Sequence, residues 1–155
     1  VEALAGVLAA VGLDAPVLDR IRDELWLKLW GNLCFNPISA LTRATLDVIA
    51  TEPGTRAIAW AMMEEGQKIA ETLGVRFRVG IERRINGAAR VGAHKTSMLQ
   101  DLERGRPLEI DPMVTAVQEL GRMTGIATPM LDTVAALVSQ LGRTKGLYTP
   151  MSPPV

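Results

Sequence analysis

Residues 25–37 read Leu25-Trp26-Leu27-Lys28-Leu29-Trp30-Gly31-Asn32-Leu33-Cys34-Phe35-Asn36-Pro37. From Leu29 to Phe35 every residue except Asn32 is apolar or glycine, and a helix that is apolar all round is buried. At about 100° per residue, Lys28, Asn32 and Asn36 lie on one side of such a helix, within roughly 80° of one another. Because buried polar groups need partners, these side chains either satisfy one another and nearby backbone or face a polar ligand.

The spacing of these three polar residues leaves two interpretations open. Lys28 either extends along the helix surface into solvent, or is partly buried and able to donate a proton to an oxygen that gains negative charge. Asn32 and Asn36 either bond to loop carbonyls, or use their amide donors and acceptors on a ligand with hydroxyl and carboxylate groups.

Helical periodicity runs through nearly the whole chain, and no stretch alternates convincingly like a strand. Leu18, Ile21, Leu25 and Leu29 are spaced as the core stripe of the helix that carries Lys28. Pro37 is expected to end that helix, since proline cannot donate the helix hydrogen bond. The sequence therefore predicts an all-α bundle of about seven helices.

The composition suits one domain of ordinary size. The chain has 155 residues, of which 48% are hydrophobic, and its 17 basic residues balance 17 acidic ones. Zero net charge argues against a nucleic-acid partner, and no apolar run reaches the length of a membrane span. A single cysteine and a single histidine exclude an internal disulfide and the usual zinc sites. We expect a cytoplasmic protein without a metal.

Several other features favour structural or solvated roles. The arginines at positions 83, 84, 90, 104 and 106 are expected on a solvated face, and Cys34 and His94 have no visible catalytic partner. No GxGxxG or P-loop motif occurs. The chain also begins at Val1 inside an apolar-periodic segment, which indicates a piece excised from a longer protein.

Two blocks of sequence resemble the ketopantoate reductase (2-dehydropantoate 2-reductase) family. The first is Trp26-x-Lys28-Leu29-x-x-Asn32-x-x-x-Asn36-Pro37, and the second joins Thr96-Ser97-Met98-Leu99-Gln100-Asp101 to Gly105-Arg106-Pro107-Leu108-Glu109-Ile110-Asp111. The blocks stand in the family's order, and the resemblance covers about residues 18–141.

This resemblance implies a domain organisation. Residues 1–147 would form a C-terminal helical domain that binds substrate, like that of 6-phosphogluconate dehydrogenase-type reductases, followed by an unstructured tail at 148–155. An N-terminal Rossmann domain, absent from this chain, would bind NADPH, so this chain alone is expected to be inactive.

The resemblance also implies a reaction, the reduction of ketopantoate to pantoate in pantothenate and coenzyme A biosynthesis. Lys28 would be the general acid that protonates the ketone oxygen as NADPH delivers hydride to the carbonyl carbon. Asn32 and Asn36 would bind and orient the substrate, Ser97 would contact its carboxylate end, and Glu109 would reach the cofactor.

Two of these residues have simpler explanations. Ser97 and Gln100 match a capping box, which would make Ser97 a helix N-cap. Glu109 could be a solvated carboxylate near a helix start, where negative charge is favoured.

Departures from the family pattern keep other functions open. Leu46 lies roughly where some members have a further substrate-binding asparagine, and Val114-Thr115 replaces an Asn-Gly pair. A related reductase of another 2-keto acid is therefore one alternative. A non-catalytic helical dimerisation module is a second alternative. A homodimer is compatible with each of these functions.

Overall fold

The computed structural model describes residues 1–151, and these contain helices and no strand. This confirms the all-α prediction, with eight α-helices where about seven were expected. No helix in this range is both long and apolar enough to cross a membrane. The helices are α1 (Glu2–Ala10), α2 (Ile21–Thr42), α3 (Leu46–Thr51), α4 (Pro53–Thr72), α5 (Ile81–Val91), α6 (Ser97–Glu103), α7 (Ala116–Thr124) and α8 (Pro129–Thr144), with a π-helical turn at Asp111–Thr115 before α7.

Helices α2 and α4 pack against each other in the core of the bundle. Trp30 of α2 is fully buried, and its Nε1 donates a 2.8 Å hydrogen bond to the carbonyl oxygen of Met63 in α4. Gly66 makes room for this approach, since a Cβ there would lie 3.1 Å from Leu33 Cδ2 and 3.4 Å from Trp30 Cδ1. This contact fixes the position of α2 and of the polar side chains that it carries.

The prediction that Pro37 ends the helix is wrong. Helix α2 continues through Pro37 to Thr42 and stops at Arg43, which adopts a left-handed conformation with φ of 62°. Proline removes one hydrogen bond from the helix ladder. Every residue from Phe35 to Ala40 is buried, and we attribute the continuation to the packing of these side chains, which offsets the lost bond.

The predicted core stripe of α2 is also wrong over the first part of the helix. Leu18, Ile21 and Leu25 are exposed in this chain, and Leu29 is half-buried. The preceding helix α1 contains no buried residue, so it gives these side chains little cover. Periodicity identifies an apolar side of a helix but not what covers it, and the buried face of α2 is instead set by Trp26 and by the residues from Trp30 onward.

A buried carboxylate joins α4 to the start of α8. Glu65 is only 9% exposed, and its two oxygens accept hydrogen bonds of 2.8 Å from the backbone N–H groups of Met130 and Leu131. The first N–H groups of a helix have no partner within the helix, and a negative charge is favoured at that end. Glu65 therefore caps α8 from a different helix.

Tyr148 and Met151, after α8, contact the π-helical turn. The Asp111 carboxylate accepts hydrogen bonds from Tyr148 Oη at 2.6 Å, the Met151 backbone N–H at 2.8 Å and Thr115 Oγ1 at 2.8 Å. Partial burial raises the pKa of Asp111, but these hydrogen bonds outweigh it and lower the pKa overall. Residues 148–151 have no regular secondary structure, and residues 152–155 of the predicted tail lie outside the described range.

Replacing Glu65 by glutamine tests the cap. A glutamine has one acceptor oxygen, so one of the two buried N–H groups would face an NH2 group and remain unsatisfied. We expect Glu65→Gln to lower the free energy of unfolding by about 1–3 kcal/mol in a urea titration. The neighbouring exposed residue gives a matched control, and Glu64→Gln should change it by less than about 0.5 kcal/mol. Equal effects of the two substitutions would contradict the capping role.

Candidate functional site

Helix α2 carries the three polar residues of the first sequence block. The helix is uninterrupted from Ile21 to Thr42, so Lys28, Asn32 and Asn36 lie on one side of it, with a rise of about 6 Å between successive members. Their exposure differs along the helix: Lys28 is exposed, Asn32 is half-buried and Asn36 is only 4% exposed. Of the two interpretations of Lys28, residues 1–151 show the one in which its side chain extends into solvent.

Asn32, Asn36 and Ser97 line one cavity of about 260 Å³, which we call the amide cavity. Asn36 Nδ2 donates to Ser97 Oγ at 3.3 Å and to Met113 Sδ at 3.4 Å. The structure thus brings together residues that are 61 positions apart in the sequence. Leu46 lies on the same cavity wall, so the cavity combines hydrogen-bonding and apolar groups of the kind that fix a small polar ligand.

Ser97 is not the helix cap that the sequence suggested. The N-cap of α6 is Thr96, whose side chain accepts a hydrogen bond from the Leu99 N–H at 3.3 Å. Ser97 is the first residue inside the helix and is exposed, with its hydroxyl towards Asn36. The capping motif is shifted by one residue, because Thr96 and Ser97 are both suitable caps and only the backbone conformation selects between them.

A second cavity, of about 480 Å³, lies between α2 and α5 and is rich in positive charge. Its wall includes Lys28, Arg83, Arg84 and Arg90, with Glu24 as its one carboxylate. Glu24 is itself ion-paired with Arg78. We call this the cationic cavity.

Arg84 belongs to both cavities. The expectation of a solvated face is wrong for this residue, which is half-buried with a fully buried Nε. Sequence reasoning missed it because one arginine among several on a polar helix carries no distinguishing signal.

Glu109 is not brought to either cavity. It is exposed between the buried side chains of Leu108 and Ile110, and it is absent from both walls. Within residues 1–151 its carboxylate therefore stands apart from the Asn36–Ser97 pair.

Neither metal nor thiol chemistry finds support in the part of the chain that the structure describes. No group of three His, Cys, Asp or Glu side chains there could hold a metal ion. Cys34 is fully buried, and this burial raises the pKa of its thiol, which disfavours the reactive thiolate.

Comparison with known proteins shows the family to which this chain belongs. Residues 20–142 match the family profile described as "Ketopantoate reductase PanE/ApbA C terminal". The chain belongs to the ketopantoate reductase family. The matched range contains both sequence blocks and all of the helices from α2 to α7.

Individual ketopantoate reductase relatives agree with this assignment. A 2-dehydropantoate 2-reductase of Mesorhizobium japonicum is 62% identical over 88% of this chain and 42% of its own length. A crystal structure from Ralstonia solanacearum MolK2, provisionally described as a ketopantoate reductase, has a TM-score of 0.89 at 39% identity, covering 95% of this chain and 44% of that one. The 2-dehydropantoate 2-reductase of Methylococcus capsulatus has a TM-score of 0.82 at 31% identity, covering 93% and 50%. The chain thus spans about half the length of these relatives or less.

A pair of neighbouring substitutions tests which residue caps α6. Thr96→Ala removes the N-cap acceptor, and we expect it to lower the free energy of unfolding by about 1 kcal/mol. Ser97→Ala leaves the cap in place and removes one acceptor of Asn36 Nδ2, which keeps Met113 Sδ as a partner, so we expect a smaller loss than that of Thr96→Ala. Urea denaturation of the two variants measures both values. A larger loss from Ser97→Ala than from Thr96→Ala would restore Ser97 as the cap.

Proposed function

We propose that this chain is the C-terminal, substrate-binding domain of an NADPH-dependent 2-dehydropantoate 2-reductase, which reduces ketopantoate to pantoate. The observation that carries the proposal is the line of Lys28, Asn32 and Asn36 on α2, with Asn36 hydrogen-bonded to Ser97 across the amide cavity. The family assignment supports it, since the relatives with this domain are named for that reaction.

Lys28 is the proposed general acid. Addition of a hydride to the carbonyl carbon places negative charge on the ketone oxygen, and a positioned ammonium stabilises that charge before donating its proton. Lys28 is exposed in this chain, so its side chain is free to reach a ligand held against α2. We propose that a covering domain excludes water from this position during the reaction.

Asn32, Asn36 and Ser97 are the proposed substrate-binding groups. Each lines the amide cavity, and amide and hydroxyl groups can both donate and accept hydrogen bonds. They suit a ligand with hydroxyl, ketone and carboxylate oxygens. Because Asn36 is held by Ser97 and Met113, its amide is oriented before a ligand arrives.

The cofactor site belongs mainly to another domain in this proposal. NADPH supplies the hydride when it is bound. Residues 1–151 include no strand and no GxGxxG turn, which are the features that usually hold a dinucleotide. We therefore assign cofactor binding to an N-terminal Rossmann domain, and we propose that Glu109 reaches the cofactor from the exposed surface of this chain.

Exposed apolar residues support an N-terminal partner domain. Leu4 and Val7 of α1, together with Leu18, Ile21 and Leu25, are large apolar side chains left in solvent. Leu25 precedes Lys28 by three positions, so the two are neighbours on the surface of α2. We propose that the Rossmann domain packs on these side chains, which would place its edge beside Lys28.

A reductase of a different 2-keto acid is the second candidate. Leu46 lines the amide cavity with an apolar side chain, roughly where some members of the family have a further substrate-binding asparagine. A panel of 2-keto acids with the full-length protein separates the two candidates. Preference for ketopantoate supports the first, and preference for another 2-keto acid supports the second.

Removing the Lys28 amine tests the mechanism. In the full-length protein, we expect Lys28→Ala to lower kcat for NADPH-dependent ketopantoate reduction by at least about 100-fold, because the proton donor is lost. Lys28→Arg should also lose activity, since a guanidinium keeps the charge but does not release its proton. The measurement is the steady-state loss of NADPH absorbance.

A lysine elsewhere provides the control. Lys68 is exposed on α4 and lines neither cavity, so Lys68→Ala should keep kcat within about twofold of wild type. Unchanged turnover in Lys28→Ala would overturn the mechanism.

A further inference from the structure

Arg84 carries a charge that residues 1–151 do not neutralise. Its Nε is buried and has no hydrogen-bond partner, and its guanidinium forms no ion pair in that part of the chain. A buried polar group without a partner costs free energy, and a partly buried cation without a counter-charge costs more. A bound anion would supply both the hydrogen-bond acceptor and the counter-charge that the guanidinium lacks.

Helix α2 leaves room for this guanidinium at Gly31. A Cβ at position 31 would lie 2.9 Å from Arg84 Cζ, 3.3 Å from Nε and closer still to Nη2. Only glycine leaves this space, although glycine within a helix costs about 1 kcal/mol relative to alanine. The guanidinium therefore lies close to the backbone of α2 at Gly31, and a side chain at that position would displace it.

This placement puts Arg84 between the proposed catalytic and binding groups. Gly31 is adjacent to Asn32 in the sequence, and Lys28 precedes it by three positions, which makes the two neighbours on the helix surface. Arg84 lines the cationic cavity with Lys28 and the amide cavity with Asn32. A small ligand bound along this side of α2 therefore meets the guanidinium.

The surrounding charges favour an anion at this point. The cationic cavity has four basic side chains and one carboxylate, and that carboxylate, Glu24, is bound to Arg78. A cavity lined by one sign of charge concentrates ligands of the opposite sign. The planar guanidinium fork matches the two oxygens of a carboxylate in a bidentate pair.

We propose that Arg84 binds the carboxylate of the 2-keto acid substrate, from the wall of the amide cavity that it shares with Ser97. The inference rests on the proposed function, and it names a further specificity-determining residue for that reaction. In a 2-keto acid the carboxylate is bonded directly to the ketone carbon. A ketone oxygen at Lys28 thus brings the carboxylate to the part of α2 where Gly31 leaves room for Arg84.

Ligand binding to an isosteric variant tests this assignment in the full-length protein. Arg84→Met keeps much of the side-chain volume and removes the charge. We expect the Kd of ketopantoate, measured by calorimetry with NADP+ present, to rise by about 100-fold, while the Kd of NADPH changes by less than about threefold. Arg84→Lys should recover part of the loss, since it restores the charge without the fork.

Gly31→Ala gives an independent variant that keeps the arginine. Its Cβ would push the guanidinium out of its place on α2, so it should weaken ketopantoate binding in the same direction as Arg84→Met. Arg122→Met, at an exposed position of α7 that lines neither cavity, should leave both dissociation constants within about twofold.

The outcomes distinguish this inference from the function on which it rests. If wild type neither binds nor reduces ketopantoate or any other acid in the panel, the proposed function fails. If wild type is active and Arg84→Met weakens NADPH rather than the keto acid, Arg84 serves a cofactor phosphate and the inference is overturned. If Arg84→Met raises the Kd of ketopantoate and of NADPH equally and lowers the urea midpoint, Arg84 is a structural residue. If neither Kd changes, Arg84 is a solvated residue. Either result also overturns the inference.

Discussion

The packing of Trp30 against α4 sets the position of α2 within the bundle. Its Nε1 is bonded to the Met63 carbonyl, and Gly66 lets the two helices approach at that point. A buried indole N–H needs a partner, so this bond fixes both the depth and the rotation of α2. That rotation decides which side of α2 faces the core and which side carries Lys28, Asn32 and Asn36.

The sequence predicts the class of fold and the shared face of these polar residues because both follow from helical period alone. It does not predict what covers a helix. Leu18, Ile21 and Leu25 have the spacing of core residues and yet are exposed in this chain, whereas Pro37 has the signature of a helix end and yet is buried within α2. In both cases tertiary packing, rather than local preference, determines the outcome.

The candidate site, like the fold, is predicted only in part by the sequence. The two motif blocks identify Asn36 and Ser97 separately, and their contact across the amide cavity emerges only in the fold. Arg84 has no sequence signature of its own, and neither does its fit against Gly31. A glycine inside an otherwise apolar helix is the one feature that could have pointed to a close approach at this position. The close approach of the half-buried Arg84 to Gly31 is seen only when α2 and α5 are packed together.

The most direct test of the proposed function is a crystal structure of the full-length protein with NADP+ and ketopantoate bound. We expect Lys28 Nζ to lie within about 3 Å of the ketone oxygen, a hydrogen-bonding distance, and Asn32, Asn36 and Ser97 to contact the same molecule. Ketopantoate bound elsewhere, with Lys28 in contact with neither the ligand nor a water bound to it, would contradict the account.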